Sequence, residues 1–242
     1  MSVCSIRSLR KENEEKTLIT VIVSGGSVDE TFASGFLDTV RPDCIIAADR
    51  GYYYLKKMGV VPDHIVGDFD SLPKEEHLPD DPDVGIHRFR PEKDDTDTGI
   101  AASLAVRLGS DEVYFLGATG TRVDHMLANI ALLAALEAKG VTGHIVDPHN
   151  RISFLSSHGE ERAGSEPVRF ALERSGQFGK YVSFAPFGGP VVGLSLSGFK
   201  YPLRNRTLSP EETQMLVSNE ITGDVGVVSF TRGALLMTES RD

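Results

Sequence analysis

Asp68 and Asp70 stand two positions apart in GDFDSL, residues 67–72, directly after the apolar run HIV. A second acidic cluster, KDDTDTG at 93–99, offers Asp94, Asp95 and Asp97 ahead of a helical pattern. Like charges held close repel, so a folded site with several carboxylates recruits a cation or raises some of their pKa values. Residues two apart in an extended segment point to one side, which lets Asp68 and Asp70 face one cavity. Oxygen donors of this kind suit magnesium, which takes one or two carboxylates and completes its shell with water and substrate phosphates. The same residues also read as local structure. Asp70 or Ser71 can cap turn amides, and Asp95 or Thr96 can cap a helix that carries Asp97 in its first turn. Three acids in four residues exceed what capping requires, and the two clusters together favour the metal.

GATGTRVDH, residues 117–125, places small residues at a turn that opens a helix, then Arg122 and Asp124. Glycines permit close backbone approach to a phosphate, and a helix N-terminus favours an anion. A tight turn with an Arg122–Asp124 surface pair is the plainer account, and His125 reads as a partly buried structural histidine. The loop lacks the GxxxxGK[ST] pattern of a P-loop, and SGGS at 24–27 is too short to name a site by itself.

These motifs need elements to hold them. TLITVIVSGG, DCIIAAD, HIVGDF, EVYFLGATG and TGHIVD are short, β-branched and apolar, as strands covered on both faces should be. Between them DETFASGFLDTV, GYYYLKKMG, DTGIAASLAVRLG and RVDHMLANIALLAALEAKG carry helical spacing. That alternation predicts an α/β domain with a mainly parallel sheet over residues 1–148. Ligands of such sheets bind beyond the carboxyl ends of the strands, where SGGS, ADRG (48–51), GDFDS and GATG all fall. From 149 to 242 the texture becomes strand-like: RISFLSS, PVRFAL, KYVSFAPF, VVGLSLSGF, GVVSFT and ALLMTES, with helical spacing only in SPEETQMLV. A small all-β unit, a β-sandwich or a barrel-like domain, is expected there, joined through DPHN at 147–150.

The 242 residues carry a net charge of −10, which argues against nucleic acid as the main partner. The N-terminal stretch becomes charged within seven residues, and the longest apolar run, IALLAALEA, is too short to span a bilayer. Neither secretion nor a membrane is indicated. Cys4 and Cys44 form neither a disulfide framework nor a zinc pattern, which suits a reducing cytoplasm.

The ordered set GDFDS, DDTDTGIAAS and GATGTRVDH, followed by SGFKYPL and VSNEITGDVGVVSF, resembles the thiamine pyrophosphokinases over residues 18 to 238. The resemblance implies transfer of a pyrophosphoryl group from ATP to the hydroxyl of thiamine, giving thiamine diphosphate and AMP. It implies a homodimer of α/β nucleotide-binding and β-sandwich thiamine-binding domains, with thiamine where the subunits meet. By the same resemblance Asp68, Asp70 and Asp97 hold Mg2+, and Asp124 joins them in the catalytic set. Asp49, Lys93, Gly120 and Arg122 are assigned to ATP, and Tyr201, Ser218 and Asn219 to thiamine. ADRG departs from the family's ADGG, so Arg50 stands where glycine is expected. Two other readings keep the scaffold: a pyrophosphokinase acting on a pterin alcohol, and a non-catalytic module binding nucleotide or thiamine.

Overall fold

The structure is a computed structural model that describes residues 7–8, 16–69, 77–89, 95–120, 122–157, 166–211 and 216–242. Its chain falls into two compact units, one of residues 16–148 and one built from His149–Asp242 with the described pair Arg7–Ser8. The short strand β1 (Arg7–Ser8) thus pairs within the second unit, although residues 1–148 were expected to form one domain.

In the first unit come β2 (Ile19–Val23), α1 (Glu30–Val40), β3 (Cys44–Ala48), α2 (Gly51–Lys57), β4 (His64–Gly67) and β5 (Gly85–Arg88). There follow α3 (Asp97–Arg107), β6 (Glu112–Leu116), α4 (Val123–Glu137) and β7 (Thr142–Val146). The strands align in the order β7-β6-β2-β3-β4-β5, and the pairings between these neighbours are all parallel. All five residues of β6 are buried, as befits a strand covered on both faces. α1 reaches β6 through Phe36, whose ring meets Tyr114 edge-on, while α3 packs on β2, β3 and β4 and α4 on β7.

Several of the acids that make this chain so negative serve the sheet itself. The carboxylates of Asp111, Asp43 and Asp63 accept hydrogen bonds from the backbone N–H groups of Leu18, Ile19 and Ile45 at 2.7–3.0 Å. Each satisfies a main-chain donor within one residue of the start of a strand. Deeper in, Tyr114 Oη donates to Glu112 Oε1 at 2.7 Å, and His144 Nε2 lies 3.1 Å from the same oxygen.

The second unit contains β8 (Asn150–Ser156), β9 (Val168–Glu173), β10 (Tyr181–Pro186), β11 (Val191–Ser197), β12 (Leu203–Leu208), β13 (Leu216–Asn219), β14 (Val225–Phe230) and β15 (Ala234–Ser240). One antiparallel layer runs β13-β10-β15-β8 and the other β1-β9-β14-β11-β12. Val182, Phe184, Leu235 and Met237 of the first layer share one core with Phe170, Leu194, Val228 and Phe230 of the second. This is the expected sandwich, with side chains from two inner faces meeting in the middle. Where SPEETQMLV suggests a helix, Leu216–Asn219 is instead a strand paired with β10. The pair Arg151–Glu239 sits in register across β8 and β15, buried and bidentate at 2.5 and 2.8 Å.

Candidate active site

The strand order reverses at β2, which has β3 on one side and β6 on the other. A crevice opens at such a switch point, and the two glycine loops meet there. Ser24 N donates to Leu116 O at 2.8 Å and Gly26 N to Gly117 O at 3.1 Å, so SGGS lies against the loop after β6. A Cβ on Gly26 would stand 2.3 Å from Gly117 O, and one on Gly120 would stand 2.5 Å from Ser27 N. Neither backbone can withdraw without breaking the other, so glycine is demanded here by close approach. Thr98 Oγ1 then donates to Ser24 Oγ at 3.1 Å, tying the first turn of α3 to the same loop.

The neighbouring loops continue the row. Asp49, at φ 52°, donates its N–H to Val66 O at 2.7 Å, and the Cβ position of Gly67 lies 3.2 Å from its Cα. Asp68 follows at once. The fold therefore gathers Asp49, Asp68, Gly120 and the start of α3 with Asp97 at the carboxyl ends of β2, β3, β4 and β6. Asp70 and Lys93 lie outside the described residues.

Two local readings need correction. Phe69 has φ 67°, so the backbone is not extended just after Asp68 and strand alternation does not carry past Phe69. The Arg88 guanidinium lies over the Phe69 ring, 5.2 Å from its centroid. His125, read as partly buried, is exposed and offers its backbone N–H to Asp124 Oδ1 at 3.0 Å.

At α3 the cap is Thr96, whose hydroxyl accepts from Gly99 N at 3.1 Å. Asp97 is the first helical residue and complements the dipole there. At α4 the N-cap residue Arg122 makes no side-chain capping hydrogen bond. Arg122 Nε donates to Asp124 Oδ1 at 3.1 Å and a second guanidinium nitrogen reaches Oδ2, forming an exposed pair. That guanidinium is the main reason the Asp124 carboxyl is held below the usual carboxylate range. Asn129, which the sequence did not single out, is buried and donates from Nδ2 to Ala118 O at 2.9 Å, fixing the glycine loop to α4. An asparagine inside the apolar run MLANIALL was the available signal.

Arg50 is exposed, its guanidinium 5.7 Å from the centroid of the Tyr54 ring. Among the described residues no group of three or more His, Cys, Asp or Glu side chains is placed to hold a metal. The described carboxylates expected to serve magnesium are two, Asp68 and Asp97. Magnesium commonly takes no more than one or two from protein, so the donor chemistry fits.

In the second unit, Asn219 is buried and its amide grips the backbone of residue 201: Oδ1 accepts from Tyr201 N at 3.0 Å and Nδ2 donates to Tyr201 O at 2.9 Å. The amide thus acts as a short strand partner and presents Tyr201, which is 59% exposed. Lys200 Nζ sits over the Tyr201 ring at 5.6 Å and pairs with Glu220 at 2.9 Å. Ser218 is exposed at φ 55°, with its N–H on Ser183 Oγ at 3.0 Å.

Residues 40–143 match the family model for the thiamin pyrophosphokinase catalytic domain, and residues 168–235 match that for the thiamin pyrophosphokinase vitamin B1 binding domain. A thiamine pyrophosphokinase of Bacillus subtilis is 32% identical over 198 residues, covering 81% of this chain and 87% of the relative. The crystal structure of thiamine pyrophosphokinase from Bacillus subtilis superposes with a TM-score of 0.77 at 28% identity, covering 93% of this chain and 99% of that one. The enzyme from Geobacillus thermodenitrificans gives 0.74 at 30% identity, with 93% and 98% covered.

Proposed function

The chain belongs to the thiamin pyrophosphokinase family, and from that premise we propose that it transfers the pyrophosphoryl group of ATP to the hydroxyl of thiamine, giving thiamine diphosphate and AMP. The observation that carries the reading is the succession of the two matched domains along the chain, the first of them containing a parallel sheet whose switch point brings two glycine loops together. Glycine loops without side chains let a triphosphate approach the backbone closely, and the start of α4 adds a favourable dipole. Asp49, Lys93, Gly120 and Arg122 bind the nucleotide, with Arg122 released from Asp124 onto phosphate oxygens when ATP arrives.

Asp68, Asp70 and Asp97 are the residues that would hold Mg2+, and Asp124 completes the catalytic set. The ion, when bound, neutralises charge on the transferring phosphates. The protein's own share is position. A primary alcohol is a poor nucleophile at neutral pH, so holding it in line with the departing AMP oxygen matters more than a strong base. Tyr201, exposed at 59%, meets the cationic thiazolium or stacks on the pyrimidine in this reading, a contact worth about 0.5–2 kcal/mol. Ser218 supplies a hydroxyl close by, and Asn219 keeps Tyr201 in place through its backbone.

A homodimer sharing the thiamine site is part of the proposal. Its support here is α4, which is apolar nearly all round yet leaves Val123 and Leu127 68% and 61% exposed, one turn apart. No helix among the described residues is long and apolar enough to cross a membrane, and a cytoplasmic location is proposed with the rest.

The test is to incubate the protein with thiamine, ATP and magnesium and to quantify thiamine diphosphate and AMP together. Equal amounts of both, lost on chelation, are expected. ADP with thiamine monophosphate would mean γ-phosphoryl transfer instead. Product from a pterin alcohol but not from thiamine would reassign the acceptor.

A further inference from the structure

His64 and His87 face each other across β4 and β5, at the free edge of the parallel sheet, away from the residues assigned above. His64 Nδ1 and His87 Nε2 are 3.4 Å apart and the ring centroids 5.3 Å apart. The register places Gly85 opposite His64 and His87 opposite Val66, so the two imidazoles are diagonal neighbours on one face. Gly85 makes their meeting possible: a Cβ there would stand 2.3 Å from His64 Nδ1 and 3.4 Å from His87 Nε2. The space between the two nitrogens exists because this position carries no side chain.

We propose that His64 Nδ1 and His87 Nε2 form a binding site for a late-transition divalent cation such as Zn2+, with water completing its shell. Two imidazole nitrogens on a tetrahedral zinc, each at about 2.0–2.1 Å, stand about 3.3–3.4 Å apart. The observed separation already equals that edge. Binding needs each ring to turn modestly so that both lone pairs converge on one point. The ring that now donates its N–H across the gap moves that proton to its other nitrogen through solvent, so both imidazoles remain neutral ligands. Burial, with His64 and Arg107 adding to it, already holds the His87 imidazole below the usual histidine range and hence neutral. Arg107 is an unfavourable neighbour for a cation, and it sets an affinity below that of a closed structural site. Imidazole selects zinc, copper or nickel over magnesium. A bound ion would clasp the edge strand β5 to β4. β5 ends in Arg88, which covers Phe69 beside Asp68, so the clasp reaches the segment that leads into the active site.

The experiment is calorimetric titration of the full chain with ZnCl2 in excess Mg2+, which occupies the aspartates assigned to magnesium, without nucleotide, together with the electron paramagnetic resonance spectrum of the Cu2+-loaded protein in the same buffer. One ion per chain and coupling to two imidazole nitrogens are expected, both lost in His87→Gln and in Gly85→Ala. Gly85→Ala keeps both histidines and removes only the space. Circular dichroism checks that each variant folds, and His64→Gln is the substitute if one does not. Zinc binding that survives in the variants, or a copper spectrum without two nitrogen couplings, overturns the site, as does no binding at all. None of these outcomes depends on pyrophosphokinase activity.

Discussion

Asp68 lies one residue beyond β4, against a loop whose next residue, Phe69, is held at φ 67°. A left-handed aromatic residue costs about 1–2 kcal/mol, and the Arg88 guanidinium over its ring is the visible compensation. If Asp68 binds the metal, Asp68→Asn removes one charged ligand from a half-exposed position and should leave the fold intact by circular dichroism. Turnover should fall on the order of 100-fold or more, because losing a ligand outweighs the 10–100-fold typical of lost outer-shell partners. Full turnover with unaltered magnesium dependence would remove Asp68 from the metal set. Cys44 gives a second prediction. Burial, and then the charge of Asp63, push its thiol up from 9.0 to about 11, against a weaker opposing hydrogen bond from Thr20. The folded state therefore keeps a proton that the unfolded chain releases first, so Cys44 contributes stability in full below pH 9.0 that is lost as pH rises through about 11. Thermal melts over that window should show a fall that is smaller in Cys44→Ala.

Among the elements, α3 carries the clearest coupling of fold to site. Thr96 caps the helix, Asp97 begins it and Thr98 reaches Ser24, so three consecutive residues fix where the first turn stands. Thr96→Ala should cost about 1 kcal/mol, the usual loss for a cap, and Thr96→Ser should restore it. If Asp97 serves magnesium, the alanine variant should also need more magnesium for half-maximal activity, measured well below its melting temperature. An unchanged magnesium requirement would leave Thr96 with a purely structural role. The same helix was legible in the sequence because its cap, its acidic first turn and its apolar spacing agree. β2, β3, β4 and β6 were legible too, since strands buried on both faces read as β-branched apolar runs. β5 was not: GIHR is short, opens on glycine and carries two polar side chains. β12 was hidden in LRNRTL, where Asn205 at φ 48° and shifts of register against β11 break the alternation. Leu216–Asn219 was masked by the helix formers of EETQM just before it. In the site, the acids and glycines were visible as types. The partners that fix them, Thr98 on Ser24 and Asn129 on Ala118, come from residues 74 and 11 positions away; an asparagine inside an apolar run marks Asn129 as unusual, but nothing local names the partner of either.

Over the whole molecule, the ordered motifs carried more than any one of them. A glycine turn or a pair of aspartates has a local explanation, but their succession on the strands of one parallel sheet, followed by a β-sandwich, does not. Subunit association is the property at this scale left for solution measurement. α4 is a helix whose composition calls for burial on every side, yet the chain alone covers only the side bearing Asn129, Ile130, Leu133 and Leu136. Val123 and Leu127 on its other side are the residues a second copy would cover. Light scattering should give about twice the 26.3 kDa chain mass, and Leu127→Glu should lower it toward one chain by placing a charge where apolar area is buried. The variant's circular dichroism should match the parent, because Leu127 contributes little to the core of its own chain. If thiamine sits between subunits, that monomer should also show a raised KM for thiamine with the KM for ATP little changed. A parent protein that stays monomeric at assay concentration yet turns over thiamine would put the whole site within one chain.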